Sequence, residues 1–171
     1  MTKPGAWSID RDRYGKQAWI TQPSYWAVAV YRFGQWTKRA RSPMTPVFHA
    51  LYFAAYSVVR LVTGIDIPRG AEVGPGLLIH HFGGIIINPQ AKIGASCTMR
   101  QGVTIGSKHD GGASPVLGDG VTLGAYAQVL GGIHVADGTT VGAMSVLLRD
   151  TTPGSVVVGS PARVVREQRH N

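Results

Sequence analysis

Between Ile67 and Leu147 an aliphatic residue returns every six positions. The column reads Ile67, Val73, Ile79; then Ile87, Ile93, Met99, Ile105; then Leu117, Leu123, Val129, Val135, Val141 and Leu147. A second, smaller apolar position stands two residues earlier in many repeats: Ala71, Leu77, Ala91, Cys97, Val103, Val121, Ala127 and Ile133. Between the two columns the chain is polar, with Glu72, Lys92, Thr98, Thr104, Thr122, Gln128, His134 and Thr140. Inward, outward, inward is the period-2 signature of a short strand. Glycine follows the aliphatic at 74, 94, 106, 118, 124 and 142, where a sharp turn makes Cβ a liability. Strands of about three residues on this period do not suit a sandwich, whose turn signals recur roughly every 8–12 residues. They are the hexapeptide signature of a parallel β-helix. Three hexapeptides close one triangular coil, and only the stacking of coils creates a core.

Two irregularities interrupt the count. Ile79 to Ile87 spans eight residues, so two extra residues sit at the turn carrying His80 and His81. Ile105 to Leu117 spans twelve, in register, but its midpoint is Gly111 within the polar run SKHDGGAS. Ahead of the repeats, Ser24–Arg41 spaces Trp26, Val30, Phe33 and Trp36 as an amphipathic helix with cations towards its C-terminal end. Ser42 to Pro46 breaks it, and a second helix is expected over about Val47–Val62, ended by Gly64. That helix is short and interrupted for a membrane span, and packing against its neighbour and other subunits is the expected use. Residues 1–20 predict no element. The expected organisation is a helical region over 1–64, a β-helix over 65–165 and a basic tail over 166–171.

Charge changes this picture in one respect. The net charge is +8, and residues 1–60 hold nine Lys/Arg against Asp10 and Asp12. A basic appendage beside a near-neutral body suits either ordinary solvated helix faces or peripheral contact with an anionic membrane. No nucleic-acid reading motif accompanies it, so nucleic acid is not an expected partner. Cys97 is the sole cysteine and falls on the inward column, as a small buried apolar residue. With no disulfide framework and no apolar leader in the first sixteen residues, a cytoplasmic setting is expected.

Insertions in a solenoid form loops that often bind, so chemistry is expected at Ile79-His80-His81-Phe82-Gly83-Gly84. On an eighteen-residue coil, Asp66 and His81 share a corner on successive coils, at strand spacing of about 4.8 Å. A carboxylate there fixes the imidazole tautomer and makes His81 a competent general base for a hydroxyl. Metal binding is not expected. His80 and His81 point apart as sequence neighbours, no third ligand stands at useful spacing, and His134 is isolated.

The run IDIPRGAEVGPGLLIHHFGG, followed by INPQAKIG, QGVTIG, LGDGVTLGAYAQVLGGIHV and VGSPARVV, resembles the serine O-acetyltransferase family of hexapeptide acyltransferases. The likeness covers roughly 24–165 and is nearest to the short exopolysaccharide-modifying members of the colanic-acid-biosynthesis type. It implies a left-handed β-helix, a homotrimer, and acetyl-CoA as co-substrate lying between neighbouring subunits. It implies His81 as the catalytic base and Asp66 as its orienting carboxylate, with the family's separation between them. It also implies donor contacts at Thr104, Gly106, Ala125, Ala143 and Arg163.

The acceptor is read from departures. Serine-specific members carry an Arg-His pair before the Pro of the mid-helix loop, where this chain has Ala113 and Ser114 before Pro115. Their acidic residue beside the catalytic His is His80 here. A zwitterion needs partners for both charges. With Asp66 committed to His81, the expectation is a neutral sugar hydroxyl in a surface-polysaccharide precursor, held by His80, Asn88, His109 or Ser114. O-acetylation of L-serine is the alternative, and a non-catalytic trimeric module the third.

Overall fold

The computed structural model describes residues 5–166, so the basic tail beyond Arg166 lies outside the described residues. Four helices come first: α1 (Ala6–Tyr14), α2 (Ala18–Thr21), α3 (Pro23–Arg39) and α4 (Thr45–Thr63). The β-helix follows. Its first coil is β1 (Ile65–Asp66), β2 (Glu72–Val73) and β3 (Leu78–His80), and its second is β4 (Ile85–Ile87), β5 (Lys92–Ile93) and β6 (Thr98–Arg100). β7 (Thr104–Gly106), β8 (Val116–Leu117) and β9 (Thr122–Leu123) form the third; β10 (Gln128–Leu130), β11 (His134–Val135) and β12 (Thr140–Val141) the fourth. β13 (Val146–Leu147) and β14 (Val156–Gly159) make a partial fifth coil, and β15 (Ala162–Arg166) folds back antiparallel on β14. The three faces of the prism are β1-β4-β7-β10-β13, β2-β5-β8-β11 and β3-β6-β9-β12-β14-β15.

Both apolar columns point inward as the periodicity predicts. Ile79, Met99, Leu123 and Val141 are fully buried in one column, and Ala71, Ala91, Cys97, Val103, Val121 and Ala127 fill the other. Each large aliphatic contributes roughly 1.5–3 kcal/mol by leaving water. The parallel pairing stacks like on like: Ile65 on Ile85, Ile105 on Val129, and Val129 on Leu147. In the last coils the small column turns polar, and Ser145 Oγ accepts from Gly159 N at 3.0 Å while Ser155 Oγ donates to Thr152 O at 2.7 Å.

Register corrects one expectation. Asp66 pairs with Ile86, twenty residues on, because the two inserted residues lengthen the first coil. An eighteen-residue count omits them, so Asp66 lies on the first face past the corner, while His81 lies at the corner itself. The second irregularity, the twelve-residue interval after Ile105, keeps the register as expected. Lys92 pairs with Val116 twenty-four residues away, so the run from 107 to 115 is an extruded loop worth one hexapeptide.

The first coil has no coil below it, and its free backbone groups need partners. The helices supply them. Arg32 Nη1 and Nη2 donate to Val73 O and Gly74 O at 2.7 and 2.6 Å, and its Nε meets Asp10 Oδ2 at 2.7 Å. Asp10 Oδ1 in turn accepts from Gly76 N and Leu77 N at 2.6 and 3.2 Å. Tyr31 Oη donates to Ala71 O at 2.8 Å and accepts from Val73 N at 3.0 Å. Tyr14 Oη accepts from Ile79 N, and Ser24 Oγ donates to Ile79 O, both at 2.8 Å.

This explains why α1 and α2 escape a reading by periodicity. The buried residues of α1 are Asp10 and Tyr14, chosen to satisfy backbone rather than to form an apolar stripe. α4 starts at Thr45, two residues early, because Pro46 is tolerated in a first turn where its missing N–H has no partner to lose. Gly64 ends it in the left-handed conformation, φ 64°, and donates to Arg60 O at 2.9 Å.

Asp10 and Arg32 are both buried, so truncating Asp10 strands a guanidinium beside carbonyls. Asp10→Ala is expected to cost about 3–5 kcal/mol of stability in urea unfolding. A loss under about 1 kcal/mol would show that the cap does not depend on this pair.

Candidate active site

A cleft of about 390 Å³ opens on the first face, lined by Tyr56, Asp66, Asn88, Thr104, Gly106 and Ser107 among others. Four of these residues were expected from sequence. Asp66 is supplied by β1, Thr104 and Gly106 by β7, and Asn88 by the turn after β4. Asn88 Oδ1 accepts from Gln90 N at 2.9 Å, which fixes that turn.

Within one copy, no hydrogen bond or ion pair among the described residues joins Asp66 to His81. Tyr56 Oη donates to Asp66 Oδ1, and Arg60 Nε lies 3.3 Å from Oδ2. Burial, reinforced by the neighbouring carboxylate, pushes the Tyr56 phenol well above its ordinary range, so it remains a donor. Sequence reasoning missed both Tyr56 and Arg60. Their i, i+4 spacing on a helix ending three residues before Asp66 was the signal available.

His81 occupies the inserted turn with φ 64° and is exposed, and among the described residues it makes no side-chain hydrogen bond. Ala125 and Ala143 lie at the same corner two and three coils along, where Met144 N donates to Ala125 O at 2.8 Å. The expected donor contacts therefore fall into two sets: Thr104 and Gly106 in the cleft, Ala125 and Ala143 on the His81 corner. Arg163 stands apart on β15, its Nη1 donating to Ala162 O at 3.0 Å.

The expected acceptor residues are also dispersed. His80 ends β3 outside the cleft, beside Arg100 on the next coil. Its imidazole titrates below the ordinary range because of burial first, then the positive field of Arg100. His109 is exposed in the extruded loop, and Ser114 Oγ is buried there without a partner. Among the described residues no three His, Cys, Asp or Glu side chains group to hold a metal ion. Cys97 is buried, its thiol pushed up to about 11 by desolvation.

Glycines separate structural from ligand-facing positions. A Cβ at Gly74, Gly94 or Gly124 would lie 2.5–2.7 Å from the backbone of the next coil, so close stacking demands glycine there. At Gly106 a Cβ would meet only Leu130 Cδ2 and Thr104 Cγ2, at 3.8 and 4.0 Å. The fold tolerates a side chain at this position, and the cleft is what a methyl group would narrow.

A six-residue repeat wound into a solenoid, with a cleft on one face, is the architecture of the hexapeptide class. Residues 114–149 match the family model described as bacterial transferase hexapeptide (six repeats). The serine acetyltransferase of Helicobacter pylori is 34% identical over 166 residues, covering 94% of either chain. That of Synechococcus elongatus is 36% identical over 90% of this chain, which spans 61% of that protein's length. Soybean serine acetyltransferase complexed with serine superposes with a TM-score of 0.81 at 29% identity, covering 94% of this chain and 68% of its own. The chain belongs to the serine acetyltransferase family, a class of acyltransferases whose acetyl donor is acetyl-CoA. These relatives are serine acetyltransferases and not of the exopolysaccharide-modifying type.

Gly106→Ala is expected to leave thermal stability within the roughly ±0.5 kcal/mol of ordinary surface changes. It should raise the KM for acetyl-CoA at least ~10-fold, about 1.4 kcal/mol. An unchanged KM would remove Gly106 from the donor path.

Proposed function

We propose that this protein transfers acetyl from acetyl-CoA to the hydroxyl of L-serine, with His81 as the general base. The observation that carries the acceptor is the likeness to serine acetyltransferases, that of Helicobacter pylori being 34% identical over 94% of either chain. The sequence argument against serine assumed that Asp66 is consumed by His81, leaving no charged partners. Instead Asp66 lines the cleft, held by Tyr56 and Arg60 from the helix side, and places an anion where a substrate ammonium could meet it. The relatives, each a serine acetyltransferase, support the same acceptor.

In this reading His81 takes the proton from serine Oγ as that oxygen attacks the thioester carbonyl. Backbone N–H groups at the turns stabilise the tetrahedral oxyanion. The C–S bond then breaks, the imidazolium returns its proton to the leaving CoA sulfur, and O-acetylserine departs. Holding both substrates in attack geometry removes the need for an acyl-enzyme.

His81 stands with Ala125 and Ala143 on a corner, whereas Asp66, Asn88, Thr104 and Gly106 line the adjoining face. A site that uses both sets is completed where the corner of one copy meets the face of another. Hexapeptide β-helix acyltransferases are typically trimers, and a homotrimer is the assembly inferred here. The setting that suits acetyl-CoA chemistry is the cytoplasm, and membrane contact forms no part of the proposal.

A saccharide acceptor is the second reading, favoured by Ala113 and Ser114 in the loop, which bring no cation to the site. Thiol release from acetyl-CoA, measured across serine and neutral sugars, decides between them. Serine is expected to give at least ~100-fold higher kcat/KM than the best sugar, about 2.7 kcal/mol. The reverse order overturns the acceptor assignment. His81→Ala should retain acetyl-CoA binding and lose about 10²–10⁴ in turnover; more than a tenth of the activity remaining would remove His81 from the role of base.

A further inference from the structure

A larger cleft, about 750 Å³, lies on the second face of the solenoid and shares no lining residue with the acetyl-transfer cleft. Its floor is the outer surface of β2 and β5 with the corner at Gly74 and Pro75; its walls are α1 and α3. The volume is within the roughly 300–1,000 Å³ of small-molecule sites. The mechanism uses none of these residues.

Two indoles flank the cleft, Trp7 from α1 and Trp36 from α3, at 44% and 48% exposure. Trp36 is held rigidly from behind: Phe33 stacks on it at 5.8 Å with an interplanar angle of 19°, and Phe48 contacts it at 5.1 Å. Half-exposed tryptophans with buttressed rings present large flat apolar faces at little entropic cost. The polar groups around them are planar or charged: Gln35, Arg39, Glu72 and Lys92. Glu72 and Lys92 face each other at 3.4 Å across adjacent coils, and Arg32 is committed to Asp10 and two carbonyls. Arg39 makes no ion pair or side-chain hydrogen bond among the described residues.

These features select a ligand class. The floor is a sheet face whose backbone groups are spent on the stack, so an extended peptide finds no edge to pair with. One uncommitted guanidinium suits a single carboxylate rather than a polyphosphate. Flat apolar faces beside fork-shaped polar groups suit pyranose rings, which have a C–H face and a rim of hydroxyls. We propose that this cleft binds an acidic saccharide, with sugar rings on Trp7 and Trp36 and a uronate carboxylate on Arg39. The site is separate from acetyl transfer and does not depend on the identity of the acceptor.

Isothermal titration of the full chain with oligogalacturonate tests this, with the neutral maltohexaose as control. Saturable binding of the uronate oligomer is expected, with maltohexaose at least tenfold weaker. Trp7→Ala and Arg39→Ala, both at exposed positions, should each weaken uronate binding at least tenfold and leave acetyl transfer to serine unchanged. Absence of uronate binding, equal binding of maltohexaose, or binding indifferent to both substitutions overturns the proposal. Failure of serine acetylation in the unmodified chain would bear on the acceptor and not on this site.

Discussion

The structure depends on how the open end of a solenoid is closed. Every inner coil has its N–H and C=O groups taken by the coils on either side, but the first coil has one side bare. Asp10 and Arg32 close it together, each bonded to the other and to backbone of residues 73–77. A buried ion pair is by itself weak support for stability, since desolvation offsets its attraction. Here the pair is worth having because its remaining valences replace hydrogen bonds that a missing coil would have made. The helices are thus part of the solenoid's backbone accounting, and α1 exists to bring Asp10 and Tyr14 to that edge.

Closure also bears on the candidate site. α4 leaves the helical cap and runs directly into β1, so Tyr56, Arg60 and Asp66 belong to one rigid passage from helix to strand. The left-handed Gly64 between them sets the angle, and a Cβ there would press on Gly84 N at 3.0 Å. Tyr56 and Arg60 therefore hold the Asp66 carboxylate from the helix side and leave its other side to the cleft. A residue placed by the cap orients a residue of the first coil.

The coil architecture was legible because its cause is repetitive. An aliphatic at every sixth position can be buried in few ways, and all of its predicted inward residues are buried. What escaped was whatever depended on single contacts across long separations. α1 has no periodic face, since its inward residues are polar and answer to backbone 65 residues away or more. Within one copy Asp66 stacks on Ile86, two residues beyond the eighteen-residue count, and that offset is the length of the insertion. Asn88, Thr104 and Gly106 were placed correctly beside Asp66, because repeat arithmetic holds once a coil has its ordinary length. Tyr56 and Arg60 were visible in principle. Only a reading of helix spacing carried through Gly64 would have joined them to the carboxylate.

His81 shows how backbone strain should be weighed at such a site. Its φ of 64° is unusual for a residue with a Cβ and costs on the order of 1–2 kcal/mol. Taken alone it would suggest a strained functional residue. Yet Ser96, Tyr126 and Met144 adopt φ of 57–58° at turns of the later coils, and Gly102 takes φ 73° on the His81 corner. The left-handed step is therefore demanded by the corner, whatever side chain stands there. What distinguishes His81 is the insertion after it, through Phe82, Gly83 and Gly84, which widens this one turn while Gly83 O still accepts from Gly102 N at 2.8 Å. The solenoid enforces the turn, and at the widened corner the His81 imidazole stands exposed.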